Sequence, residues 1–139
     1  MAIKFSDFKK GEIILLIISV QKYLETSMKI LKHYCNNEKS SCVYVSVNHT
    51  YNTLMNLMKK NKINTDKLFV IDAITPHSAQ TKDVSNAIFT GNPRGLTDIS
   101  ISASSAIKNL PNGERMLFFD SLSTLLIYND SGSVTKFMH

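Results

Sequence analysis

The sequence predicts an α/β domain, a mainly parallel sheet with helices on both faces, as a three-layer arrangement. Three observations carry that expectation. Several short runs are continuously apolar and rich in β-branched residues, the pattern of strands buried on both faces. Stretches with apolar residues at helical spacing separate them. Turn chemistry punctuates the alternation, so strand, helix, strand, helix, strand reads as βαβ units.

The first run, Glu12-Ile-Ile-Leu-Leu-Ile-Ile-Ser19, is expected to be a buried strand. Lys4, Lys9 and Lys10 precede it and give a superficial look of a signal peptide, but Asp7 and Glu12 interrupt the basic stretch. Gln21-Lys22-Tyr23 is no small-residue cleavage site, and the run is too short to span a membrane. Leu24, Met28, Leu31 and Cys35 then fall on one helical stripe. Asn36-Asn37 and Lys39-Ser40-Ser41 break it as a loop. Cys42-Val-Tyr-Val-Ser-Val47 is a second strand. Thr50 is placed to cap a helix with Tyr51, Leu54, Met55 and Met58 on its apolar face. Asn61 stands where helices end in a left-handed residue. Leu68-Phe-Val-Ile-Asp72 is a third strand, ending in an acid.

From Ala73 to Gly95 the chain is polar and irregular, a loop long enough to suggest function. A helix starting near Leu96 or Thr97 carries Ile99, Ala103, Ala106 and Leu110 on one face. Pro111-Asn112-Gly113 ends it. Met116-Leu-Phe-Phe-Asp120 is a fourth strand that also ends in an acid. Ser121-Leu-Ser-Thr-Leu-Leu-Ile-Tyr128 follows, then a turn at Asn129-Asp-Ser-Gly132 and the start of a last helix.

A chain of 139 residues fits one domain, here residues 1–139. With 43% hydrophobic and 19% charged residues it reads as globular and not disordered. The net charge of +5 rests almost wholly on lysine, since Arg94 and Arg115 are the only arginines. Nucleic-acid sites favour arginine forks and clustered aromatics, and neither is gathered here. Lys59, Lys60, Lys62 and Lys67 instead follow an apolar helical stretch, where cations complement a helix C-terminus. Cys35 and Cys42, the only cysteines, lack metal-binding or redox spacing and read as two reduced thiols of a cytoplasmic protein.

In an open parallel sheet ligands bind beyond the carboxyl ends of the strands, which singles out 20–26, Asn48, His49, Asp72 and 120–123. Arranged this way, the chain resembles the RecA/KaiC-type ATPase core, and especially the short KaiC-like domains common in archaea. Ser41-Cys-Val-Tyr-Val-Ser-Val-Asn-His-Thr-Tyr-Asn-Thr-Leu, continuing to Lys67-Leu-Phe-Val-Ile-Asp72, resembles the family's second strand, helix and third strand. Asn92-Pro-Arg-Gly-Leu-Thr-Asp-Ile-Ser-Ile-Ser-Ala resembles the opening of its next helix, and Met116-Leu-Phe-Phe-Asp-Ser-Leu-Ser-Thr-Leu-Leu126 its Walker B strand. The likeness spans roughly residues 10–139 and rests on pattern, not on any rare motif.

The family's first strand should lead into G-x-x-x-x-G-K-[ST], whose glycines let backbone N–H groups cradle phosphate. This chain has Ser19-Val-Gln-Lys-Tyr-Leu-Glu-Thr26 there, with Ser19 and Leu24 at the glycine positions and Glu25 at the lysine. Only Thr26 survives. A unit-charge contact at 4 Å is worth about 4 kcal/mol at an effective dielectric of 20, so attraction turned to repulsion weakens phosphate binding by orders of magnitude. The acid that polarises the attacking water in the family is replaced by Asn48 and His49. Asp120 alone keeps the Walker B position, and an acid at a strand's end also serves as an ordinary cap. His33, His77 and His139 read as surface or loop residues, and His49 has no nucleophile or orienting carboxylate beside it.

The resemblance therefore implies a degenerate RecA/KaiC-like domain, a pseudo-ATPase with no catalytic residue, no metal and no cofactor. Lys22, Thr26 and Asp120 mark the residual nucleotide-site positions. The expected role is a protein-interaction or signalling module, with no membrane or nucleic-acid partner. The alternative is a nucleotide- or anion-binding sensor using the residual cleft, with Lys22 and a helix N-terminus supplying positive field. The family core continues past the Walker B strand, whereas this sequence stops at His139. An open sheet edge is thus expected, and with it a protein partner or self-association into an oligomer.

Overall fold

A computed structural model describes residues 3–76 and 84–139. It is an α/β fold, with a four-stranded all-parallel sheet between two layers of helix. After a single 3-10 turn at Phe5–Asp7 come α1 (Val20–Cys35), β1 (Ser40–Ser46), α2 (Tyr51–Lys60) and β2 (Leu68–Asp72). Then follow β3 (Ala87–Phe89), α3 (Leu96–Asn109), β4 (Glu114–Phe119), α4 (Leu122–Tyr128) and α5 (Ser131–Met138). The strand order is β3-β2-β1-β4, so β1 is central and β4 forms one edge.

Strand alternation sorts the side chains between the two layers. Cys42 and Tyr44 face α1 and α2, joining Met28, Leu31, Leu54 and Met58. Val43, Val45 and Val47 face α3 to α5, joining Ile99, Ala103, Leu125 and Val134. In register, Val43 lies opposite Phe69 on β2 and Leu117 on β4. All seven residues of β1 are buried. Each fully buried Val contributes roughly 1.5–3 kcal/mol, so Val43 and Val45 alone contribute several kcal/mol to the fold.

The helix boundaries have local causes. Thr50 caps α2 by accepting from the Thr53 N–H at 3.3 Å, as its sequence position predicts. Lys59 and Lys60 occupy the last turn of that helix, beside its negative end. The left-handed residue beyond it is Lys62, with φ 56°, one position after the expected Asn61, whose φ is −91°. Gly113 closes the α3–β4 turn at φ 131°, where an added Cβ would sit 2.6 Å from the Lys39 carbonyl oxygen. No side chain fits there.

Residues 12–19 correct the strongest sequence expectation. They form no strand, and Ile13, Leu15 and Ile17 stand exposed, Ile17 by 87%. A strand needs ladder partners, and this run pairs with none of the four. Leu24 also departs from the predicted stripe: Met28, Leu31 and Cys35 are buried while Leu24 is 40% exposed. The long loop expected from Ala73 to Gly95 contains β3, which pairs with β2. Its residues 77–83, His77 included, lie outside the described residues. Cys35 and Cys42 are free and buried. The Cys42 thiol is pushed up by its hydrogen bond with Cys35 and by burial. Among the described residues no helix is long and apolar enough to cross a membrane.

Candidate functional site

The carboxyl ends of β1 and β4 meet the first turn of α1, and a polar cluster fills the junction. Asp120, just past β4, is 5% exposed. One carboxylate oxygen accepts from the Val47 N–H at 3.0 Å. The other accepts from the Asn48 N–H at 3.2 Å, the Ser46 hydroxyl at 3.2 Å and the Tyr44 hydroxyl at 3.4 Å. Four donors converge on one carboxylate, all of them from β1 and the loop leaving it. Tyr44, Ser46 and Asp120 meet because each lies at an even step along its strand, facing the α1 layer.

Burial raises the Asp120 carboxyl above its ordinary range, opposed by the two backbone N–H groups, the His49 charge and the Ser46 hydroxyl. Burial likewise raises the Tyr44 phenol, and the Asp120 charge adds to it. Tyr23 on α1 shifts the same way for the same two causes, in the same order. The cluster extends outward through Asn48. Its side-chain amide donates to the Tyr23 hydroxyl at 3.4 Å and accepts from the Thr124 hydroxyl at 2.6 Å. This joins α1, β1 and α4. The His49 ring lies 6.4 Å from that of Tyr23, and its Nδ1 is buried with no hydrogen-bond partner.

Asp72 performs the same service one strand over. It is 0% exposed and accepts from the Tyr51 N–H that opens α2 and from the Ile74 and Thr75 N–H groups, each at 2.8 Å. Asp120 thus fastens the loop leading into α2, and Asp72 ties the first residue of α2 to the loop leaving β2.

The other predicted positions stand apart from Asp120. Lys22 is exposed in the first turn of α1. Thr26, one turn on, lines a shallow cavity with Phe5, Lys29 and His33. Neither donates to Asp120. Residues 20–26, which a phosphate-binding loop would hold open, are wound into helix. Glu25 pairs with Lys29 at 3.0 Å, and the hydrogen bond from Lys29, with its charge, holds the exposed carboxyl below its usual range. Among the described residues no group of three His, Cys, Asp or Glu gathers to hold a metal.

Sequence reasoning found Asp120, Asn48 and His49 but missed Tyr23, Tyr44, Ser46 and Thr124 as their partners. The available signal was Ser46, a hydroxyl interrupting an apolar strand two residues after Tyr44. Comparison of the chain with known protein families, with curated proteins and with solved structures finds no match. The likeness to RecA/KaiC cores thus rests on the sequence segments alone.

Proposed function

We propose that this chain is a non-catalytic interaction or regulatory module, a degenerate RecA/KaiC-like domain without ATP hydrolysis. The observation that carries this reading is the state of Asp120. A metal-binding acid in a nucleotide site keeps lone pairs turned to an open cleft, whereas this carboxylate is buried and accepts from four donors of its own chain. Its role is to fasten the loop leaving β1. The helical winding of 20–26 leaves no open loop there to cradle phosphate, and the negative charge of Glu25 opposes a bound anion, so both support the same reading.

The exposed apolar residues support the interaction half of the proposal. Ile13, Leu15, Ile17 and Val20 stand on the N-terminal segment, and Leu117, Leu126 and Ile127 beside β4. Apolar surface grouped in this way marks a contact site. The alternative, an anion-sensing cleft, draws no support from a shared cluster of Lys22, Thr26 and Asp120.

Isothermal titration with Mg-ATP, alongside a phosphate-release assay, tests the proposal. Neither heat of binding nor turnover is expected. Saturable binding with measurable hydrolysis overturns it.

A further inference from the structure

The molecule carries a strand without a sheet and a sheet edge without a strand. Residues 12–19 are the strand: six consecutive Ile and Leu residues, extended by composition and apolar on both faces. The chain is held on α1 at points before and after the run. Ser19 occupies the N-cap position of that helix. Upstream of Glu12, the Phe5 ring stacks on His33 with centroids 4.0 Å apart and meets Tyr34 edge-on at 6.1 Å. Among the described residues the run pairs with no strand, and Ile13, Ile14, Leu15 and Ile17 are exposed.

The edge is β4. Its N–H groups at Glu114 and Asp120, at the two ends of the ladder, bond to Lys39 and Val45 on the β1 side. By strand alternation, the backbone groups of Arg115, Leu117 and Phe119 point away from the sheet, and among the described residues nothing pairs with them. No proline interrupts β4, and its two charged residues are engaged elsewhere: Glu114 accepts from the Ser40 hydroxyl on the β1 side, and the Arg115 side chain folds back onto the Leu110 and Pro111 carbonyl oxygens. Apolar side chains flank the edge, with Leu117 49% exposed and Leu126 and Ile127 on α4 exposed by 47% and 77%.

We propose that residues 12–19 of one copy add to the β4 edge of a second copy, and that the exchange is reciprocal in a closed two-fold dimer. This rests on the interaction-module reading and names its partner. Donor and acceptor lie on the same chain, so the surface is self-complementary, as a two-fold interface requires. Strand addition satisfies the outward backbone groups of β4 and those of the run that face it. An occupant apolar on one face alone would leave one side wet, whereas this run offers Ile or Leu at every position from 13 to 18. At roughly 60–120 Å² per buried aliphatic side chain, the exposed set supplies several hundred Å² per copy, near the ~800 Å² per partner of stable dimers.

The test is light scattering and sedimentation of the full chain, with two variants. Leu15→Pro breaks the donor, and Leu117→Lys charges the acceptor. A wild-type dimer is expected, and each variant should raise its Kd by about thirtyfold or more, the scale of an interface hot spot. Far-UV circular dichroism should stay unchanged, because neither residue is buried. A photocrosslinker at position 17, in a mixture of isotopically light and heavy chains, should give mixed-isotope links to 114–119. Same-chain links only would seat the run on its own β4 and overturn the dimer. So would a monomeric wild type, assembly beyond two copies, or dimers that survive both variants. A monomer that ignores Mg-ATP removes the dimer and leaves the non-catalytic reading standing. Hydrolysis of Mg-ATP removes the reading beneath it.

Discussion

Residues 12–19 hold six Ile and Leu residues in succession, while β1 spans Ser40–Ser46 with three serines among its seven residues. By composition the first is the stronger strand, yet Ile17 is 87% exposed and Val43 is 0% exposed. The difference lies in the neighbours. β1 has β2 on one side, β4 on the other, and a helical layer over each face. Two of its serines are tolerated because their hydroxyls find partners: Ser40 donates to Glu114 at 2.9 Å and Ser46 to Asp120. The run at 12–19 has apolar side chains in abundance and no ladder. Hydrophobicity tells which segment gains from burial, and pairing decides whether it is buried.

The sharpest way to break the comparison is to place a charge in each region. Val43→Asp puts an uncompensated carboxylate between β1 and the α3–α5 layer, and breaking compensation in such a site costs about 3–5 kcal/mol or more. Against a total stability of about 5–15 kcal/mol, that removes most of the folded population. Urea denaturation followed by circular dichroism should show the cooperative transition lost or its midpoint greatly lowered. An unfolding free energy within about 1 kcal/mol of the wild type would mean that β1 is not the centre of the fold.

The next effect belongs to Asp120, which ties β1 to β4 at their carboxyl ends. Asp120→Asn keeps the shape but turns an amide toward one of two backbone N–H groups, since Val47 and Asn48 donate to opposite oxygens. One buried donor is left unpaired, at a cost of about 1–3 kcal/mol. The pH dependence carries the clearer signature. Burial raises the folded carboxyl above its unfolded value, so the folded state binds the proton more tightly. Stability from this group is therefore greatest below the unfolded value near ~3.9 and declines as pH rises to the raised folded value. The difference in unfolding free energy between wild type and Asp120→Asn should shrink as pH rises through that window. A difference that grows with pH would reverse the assignment.

Much of this fold is legible in the sequence, for identifiable reasons. β1 and β2 announce themselves through the short apolar runs of strands buried on both faces, and β4 through its apolar run from Met116 to Phe119. α2 is legible from Thr50 and its spaced apolar residues, and the α3–β4 turn from Gly113. β3 is hidden because three residues pairing on one side leave little pattern. The site is less legible than the fold. An acid at the end of a strand is visible as Asp120, but whether it faces a cleft or its own loop depends on Val47, Asn48 and Tyr44 arriving within 3.4 Å. Register between β1 and β4 settles that, and register is a tertiary fact.

The smallest effect expected is also the one that separates the two regions most cleanly. Ile17→Asp changes the most exposed Ile or Leu of the 12–19 run, so it removes little buried area within the chain. At a dilution where sedimentation reports monomer, it should move the unfolding free energy by no more than about 0.5 kcal/mol, the range of ordinary surface substitutions. Raising the protein concentration should then separate the two chains. Association linked to folding makes the wild-type Tm rise with concentration, while the Ile17→Asp chain, deprived of its donor strand, should keep a constant Tm. A loss above about 1 kcal/mol at dilution would place the run in the monomer's own core and erase the contrast with β1. If the loss is absent and the variant's Tm still climbs like the wild type's, the exposed run is not what draws two copies together.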